Sequence, residues 1–214
     1  MPEHHSLQDH ETRTTRKRRE ITEAATELFL RNGYSGTSME EIAAAAGVSK
    51  QTMYKQFTSK EALFVDIVSR VVNEAGDVVY TVARELDESK DVEAALRALA
   101  RRQLELVMTP RVLQLRRLVI SEADRFPQLG QAFFDQGPGR TIEAITATFE
   151  RLAHRGELDL EDPKLAAAHF NWLVMSVPIN TVMFLGSGSI PSEEELNRYA
   201  DEGVSAFLRA YGPR

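Results

Sequence analysis

The sequence predicts an all-α chain in two parts, a small three-helix head followed by a larger helical body. Three observations carry that expectation. Apolar residues recur at helical spacing between breakers, no run alternates with a period of two over strand length, and Ser/Thr caps and glycine stops recur at segment ends. The 214 residues are 43% hydrophobic and 27% charged, a globular composition that suits one domain or a small module joined to a larger one. Cysteine is absent, which excludes disulfides, Cys-ligated zinc, iron–sulfur clusters and thiol chemistry.

Taken in order, residues 1–14 read as a disordered tail. His4, His5 and His10 lie there in polar sequence without periodicity, and no apolar secretory segment is present, so a cytoplasmic location is expected. From Arg16 to about Asn32 the apolar positions Ile21, Ala24, Ala25, Leu28 and Phe29 form one helical stripe. Thr14 or Thr15 can cap it, and Gly33 stands where a left-handed residue would end it. Thr37-Ser38-Met39-Glu40-Glu41 carries a capping-box pattern that opens a short helix to Ala46. Gly47 stops that helix, Ser49 caps a second one through about Gln56, and a long helix starts at Ser59. Later breaks are expected near Ser89–Asp91, Thr109-Pro110, Phe126-Pro127, Gly137-Pro138-Gly139, Arg155-Gly156, Asp162-Pro163 and Gly186–Pro191. They leave final helices over about Arg140–His154, Lys164–Leu185 and Ser192–Tyr211. The expected division is a head over 15–62 and a body over 63–214.

Between Lys164 and Glu193 there is no charged residue, a length that could span a bilayer. His169, Asn171, Asn180, Thr181 and Pro178 interrupt it, and neither a basic cluster nor an aromatic belt flanks it. A doubly buried core helix is expected, one face against its own body and the other against a partner, with no membrane partner.

Charge is unevenly distributed. Residues 12–60 carry nine Lys/Arg against five Asp/Glu, on a chain whose formal charge is −6. A basic start on an acidic body suits a small nucleic-acid-reading head.

The stretch Met39–Phe57 reads as a helix-turn-helix. Ile42, Ala43 and Ala46 form an inner stripe, the alanines small enough for the second helix to cross closely. Gly47 permits positive φ. Val48 plugs the crossing, and Met53 and Phe57 complete a minimal core with Phe29. Lys50, Gln51, Thr52, Lys55 and the phenol of Tyr54 then face outward, the residue types that reach base edges and phosphates in a major groove. An ordinary αα-hairpin with a solvated polar face has the same pattern.

Residues Thr22–Phe64 carry Ala24-Ala25, Leu28-Phe29, Gly33-Tyr34, Thr37, Ile42-Ala43, Gly47-Val48-Ser49, Tyr54 with Phe57, and Lys60-Glu61-Ala62-Leu63. In these the chain closely resembles the DNA-binding domain of the TetR (tetracycline-repressor) family of transcriptional regulators. The resemblance implies a homodimer on a double-stranded, inverted-repeat DNA operator, with recognition helices about 34–36 Å apart. It assigns phosphate contacts to Thr37 and Ser38, Tyr54, Lys55 and Lys60, and base-edge positions to Ser49, Lys50, Gln51 and Thr52. Arg16, Lys17, Arg18 and Arg19 stand where the family places a basic arm on the backbone or in the minor groove. Many members have Gly where this chain has Gln51, so base preference does not carry over. Gln suits a bidentate contact with adenine.

The body matches the family weakly, although Leu118–Arg140 resembles a carboxy-terminal subtype found in some members. The resemblance implies a dimer interface on Arg140–His154 and Lys164–Leu185, with Phe149, Leu152, Leu173, Val177 and Phe184 as contacts. It also implies an apolar or aromatic small-molecule effector, whose binding swings the helix beginning at Lys60. Candidate liners are Met108, Leu115, Phe126, Phe133, Phe134, Phe170, Trp172, Met175 and Met183, with Asn171 or Asn180 as polar anchors. Any one of them is as readily plain core, but an amide in a charge-free helix needs a partner. His169 reads as a satisfied buried histidine.

No cofactor or metal is expected. Glycine-rich phosphate loops, GxSxG and HExxH are absent, and Glu150 with His154 at i, i+4 reads as a surface pair without further ligands. The competing class is a helical small-molecule-binding or metal-dependent enzyme carrying an incidental helix pair.

Overall fold

The computed structural model describes residues 13–71, 89 and 91–213, and every regular element among them is helical. The chain divides into two compact units, Met1–Ile67 and Val68–Arg214, where the sequence places the division after residue 62. Of the expected tail, residues 1–12 with its three histidines lie outside the described residues, as do residue 90 of the Ser89–Asp91 break and the stretch 72–88.

In the first unit, α1 (Arg13–Asn32) buries Ile21, Ala25 and Phe29. It already includes Thr14 and Thr15, which are therefore helix interior and not its cap. Buried Thr22 and Thr26 return their hydroxyls to α1 carbonyls, Thr22 to Arg18 and Arg19 and Thr26 to Thr22. This is the local bond that lets Thr sit inside a helix without an orphaned donor. Gly33 ends α1 at φ 77°. Next come α2 (Met39–Ala45) and α3 (Lys50–Gln56), then α4, a helix over residues 60–71 of which 60–67 belong to this unit. Gly47 has φ 63°, and a Cβ there would meet nothing within 4 Å. Backbone conformation, not crowding, is what requires glycine at this turn. The unit closes on Phe29, Tyr34 and Phe64, whose ring centroids lie 5.4–5.7 Å apart, with Ile42, Met53, Phe57, Leu63 and Ile67 buried around them.

The second unit comprises α5 (Val92–Val107), α6 (Pro110–Glu122), α7 (Pro127–Phe134), α8 (Arg140–His154), α9 (Pro163–Leu185) and α10 (Glu193–Tyr211). Its core is built mainly from α5, α8, α9 and α10, around the rings of Phe149, Phe170 and Phe207, where Phe170 meets the other two edge to face. A Cβ on Gly203 would stand 3.1 Å from Val174 and 3.2 Å from the Leu173 carbonyl, so the glycine sets how closely α10 approaches α9. The break expected at Gly137-Pro138-Gly139 is instead a π-helical turn over Asp135–Gly139 that carries the chain from α7 into α8. Pro138 has no N–H for the ladder, and the wider turn absorbs the lost bond.

α9 is long and apolar enough to cross a membrane by length and composition, yet it packs against α5, α6, α8 and α10. Within the single chain one of its two apolar faces is covered, the other being the face expected to meet a partner. One face enters the core, while Leu165, Trp172, Leu173, Val177 and Phe184 stay exposed in a stripe at helical spacing. The two helices expected at an interface divide unequally. Phe149 and Leu152 of α8 are fully buried in the unit's own core, because α8 has a single apolar face and that face is used. Leu173, Val177 and Phe184 are the members of that expected set left at the surface.

Candidate functional site

The local chemistry of α2 and α3 decides which side chains the head presents. Ser38 and Glu41 form a reciprocal capping box: Glu41 N–H donates to Ser38 Oγ at 3.2 Å, and Ser38 N–H donates to Glu41 Oε2 at 2.7 Å. The Glu41 carboxyl is held below its ordinary value by hydrogen bonds from the Ser38 hydroxyl and backbone. At the start of α3, Ser49 Oγ accepts from Thr52 N–H at 3.1 Å, and the two hydroxyls lie 2.9 Å apart. Met53 and Phe57 are driven into the core. That leaves Ser49, Lys50, Gln51, Tyr54 and Lys55 exposed and Thr52 half-buried.

Lys50 Nζ sits 2.6 Å from Glu40 Oε1 and 5.9 Å from the Tyr54 ring centroid. The hydrogen bond and charge of Glu40 raise the Lys50 ammonium above its ordinary value, and Lys50 lowers Glu40. Both groups are exposed, so the pair is screened by solvent and holds the ammonium only weakly.

Four residues expected at the duplex also have partners within the head. Arg18 donates Nη2 to Asp66 Oδ1 at 2.6 Å and Nη1 to the Gln56 carbonyl at 3.2 Å, with Cζ 4.2 Å over the Phe57 ring. Lys60 Nζ donates to the Tyr34 and Thr37 carbonyls, both at 2.8 Å, and lies 4.4 Å from the Tyr34 ring centroid. Thr37 is buried, its hydroxyl donating to the Leu28 and Gly33 carbonyls. Ser38 is engaged by Glu41, whose carboxylate already occupies the positive end of α2. In each case a partner distant in sequence, or a cap within it, takes the donor. Arg16 and Arg19 form exposed i, i+4 pairs with Glu20 and Glu23, and Lys17 is half-buried on the same helix.

The second unit holds a small cavity of about 60 Å³ that is partly open to solvent. α5 supplies Gln103, Leu106 and Val107; α6 supplies Val112 and Arg116; α7 and the π turn supply Phe133, Gly137 and Pro138. Thr141 of α8 and Asn171, Trp172, Met175 and Ile179 of α9 complete it. Of the expected liners, Phe133, Asn171, Trp172 and Met175 are brought together here. Met108 and Phe170 belong to the packed core and are not among the residues that line the cavity. Phe126 is half-buried under Arg125, whose Cζ lies 5.3 Å from its ring. Phe134 is half exposed, and Asn180 is exposed with its amide donating to the Ser176 carbonyl of its own helix.

Asn171 has the partner its setting demands: Gln103 Nε2 donates to its Oδ1 at 2.8 Å. His169 is exposed, not buried, and its Nδ1 meets the Tyr211 hydroxyl. Arg116 was not anticipated, although a signal was present. It lies three residues after buried Leu113 and three before buried Val119, on the apolar stripe of α6. Among the described residues no group of three or more His, Asp or Glu is placed to hold a metal ion.

Comparison with known proteins bears on both units. Residues 21–67 match the family described as bacterial regulatory proteins, tetR family, and residues 94–213 match the AefR-like transcriptional repressor, C-terminal domain. The crystal structure of a TetR-family transcriptional regulator from Mesorhizobium loti is 46% identical, with TM-score 0.85 over 94% of this chain and 100% of that one. The flavonoid-responsive regulator FrrA is 33% identical, with TM-score 0.75 over 93% of this chain and 98% of its own. FasR of Mycolicibacterium smegmatis, an HTH-type transcriptional activator, is 37% identical over 38% of this chain and 36% of its own length. RutR of Escherichia coli, an HTH-type transcriptional regulator, is 39% identical over 27% of each. The matches thus span only about a quarter to a third of these curated relatives.

Proposed function

Because this chain belongs to the TetR family of bacterial transcriptional regulators, we propose that it is a homodimeric repressor that binds an inverted-repeat operator and is released by a small-molecule effector. It acts by binding DNA in the cytoplasm and not by catalysis. The observation that carries the reading is the exposed face of α3, where Lys50, Gln51, Tyr54 and Lys55 project from a helix anchored by Met53 and Phe57. Donors and an amphipathic phenol on a rigid, capped helix suit insertion into a major groove. In this reading Gln51 reads a base, Lys50, Ser49 and Thr52 lie along base edges, and Tyr54 and Lys55 hold phosphates. Arg16, Lys17 and Arg19 add backbone contacts.

The exposed stripe of α9 supports the dimer, since contiguous apolar surface of this kind marks an interface. The carboxy-terminal match to a repressor family supports the sign of regulation. The cavity beside Trp172 and Phe133 supports an apolar or aromatic effector, with a coupling to operator binding on the order of 1–3 kcal/mol.

Selection from random duplexes with the purified full chain tests the reading. The expected product is an inverted repeat with half-site centres about 10–10.5 base pairs apart, or a multiple of that spacing. Binding should weaken steeply with salt, with a slope of about −0.9 per phosphate neutralised. Failure to retain any duplex at low salt refutes the proposal.

A further inference from the structure

The polar groups of the second-unit cavity do not balance. Arg116 is half-buried among apolar residues, and its Nε has no hydrogen-bond acceptor among the described residues. Among the described residues its guanidinium faces a ring, the Phe133 centroid 5.5 Å from Cζ. Arg117 next to it has a partner, donating Nη2 to the Val182 carbonyl at 2.7 Å. Gln103 is buried, donates to Asn171, and has Oε1 without a donor. Burial pushes the Arg116 guanidinium below its ordinary value, the direction expected of a cation desolvated without an anion.

An unpaired cation facing an apolar cavity is costly, and the cost is recovered when a ligand supplies the anion. A cationic ligand meets like charge, and a neutral hydrocarbon leaves the guanidinium unpaired. A dianionic phosphate would bring more charge than one arginine balances. A carboxylate matches the guanidinium fork in geometry and charge, and Trp172, Phe133 and Met175 offer flat apolar surface for a ring system.

We propose that the cavity takes an aromatic monocarboxylate, with the carboxylate paired to Arg116 and the rings lying against Trp172 and Phe133. A hydroxyl or N–H on the same ligand satisfies Gln103 Oε1. The inference rests on the reading of this cavity as the effector site.

The probes are 2-naphthoate and its methyl ester, offered to the full-length protein by calorimetry. Trp172, the single tryptophan of the chain, lines this cavity, so a change in its emission that saturates with the calorimetric isotherm accompanies occupancy. The acid should bind about 10–100-fold more tightly than the ester, the range a charged hydrogen-bonded pair supplies. Arg116→Gln should erase that preference while the ester still binds. Arg116→Met should melt no lower than the parent, because it removes an uncompensated charge and keeps the stem. Equal binding of acid and ester, no binding of either at millimolar concentration, an unchanged preference in Arg116→Gln, or a lowered melting point in Arg116→Met overturns the proposal. Acid-selective quenching of Trp172 without operator release supports the cavity chemistry and refutes only the effector role. Operator release by neutral compounds with no acid preference refutes the cavity chemistry and leaves the regulator standing.

Discussion

Arg18→Met should loosen the head without changing how many phosphates the protein neutralises. The arginine joins α1 to the end of α3 and to Asp66 of α4 through two hydrogen bonds and a stacked ring. Its side chain is 35% exposed and that of Asp66 20%, so the ion pair is partly screened and contributes about 1 kcal/mol rather than the full value of a sheltered charged bond. The bond to the Gln56 carbonyl adds about 0.5–1 kcal/mol, and the guanidinium over Phe57 a similar amount. Together these amount to about 2–3 kcal/mol, and methionine preserves the aliphatic packing. Hydrogen exchange of α1 and α3 amides should report that loss. The slope of log affinity against log salt on an operator duplex should stay unchanged. Asp66→Asn, combined with Arg18→Met in a double-mutant cycle, should return a coupling of about 1 kcal/mol. A slope shallower by about 0.9, with head exchange unaltered, would mean that Arg18 holds a phosphate after all.

Further outcomes follow from other contacts. Gln51→Ala should relax preference at one operator position by about 1–3 kcal/mol in competition binding, whereas Lys55→Ala should weaken all duplexes alike and flatten the salt slope by about 0.9. Lys60→Ala should lower head stability in urea by about 1–2 kcal/mol, since two carbonyl bonds are lost. Asp201 is held below its ordinary carboxyl value chiefly by the hydrogen bond from Arg101, with Arg97 adding to it. Its folded value is depressed, so its contribution is present above about pH 4 and drains away as pH falls through the folded value. Asp201→Asn should therefore cost about 0.5–1 kcal/mol at pH 7 and progressively less as the pH is lowered below about 4, read by denaturation at each pH. Val177→Arg with Phe184→Arg should give a monomer in sedimentation with helical circular dichroism intact, as both side chains are exposed on α9. A double variant that remains dimeric would move the interface elsewhere.

Much of the recognition unit was legible in the residues because its determinants are local. The Ser38–Glu41 box, the Ser49 cap and the Gly47 turn each act within a few residues, and all stand where the pattern put them. The uncharged character of α9 was equally plain, but which of its faces would be covered was not. Gly137-Pro138-Gly139 read as a stop because proline and glycine break α-helices, yet a π turn accommodates the missing donor.

Side-chain identity, spacing and capping announce a capped, outward-facing α3 and a helical body, since those depend on neighbours three or four positions away. Whether a given cation is free for a duplex depends on groups that the chain brings back from afar. Arg18 is claimed by Asp66, 48 residues on, and Lys60 by carbonyls 26 and 23 residues before it. Arg116, three residues from apolar neighbours on either side, ends beside a cavity with its Nε unpaired, and only the packing of α5, α6 and α9 makes it so. Periodicity records which face of a helix is apolar, while the partner that a charge finds is a property of the assembled fold.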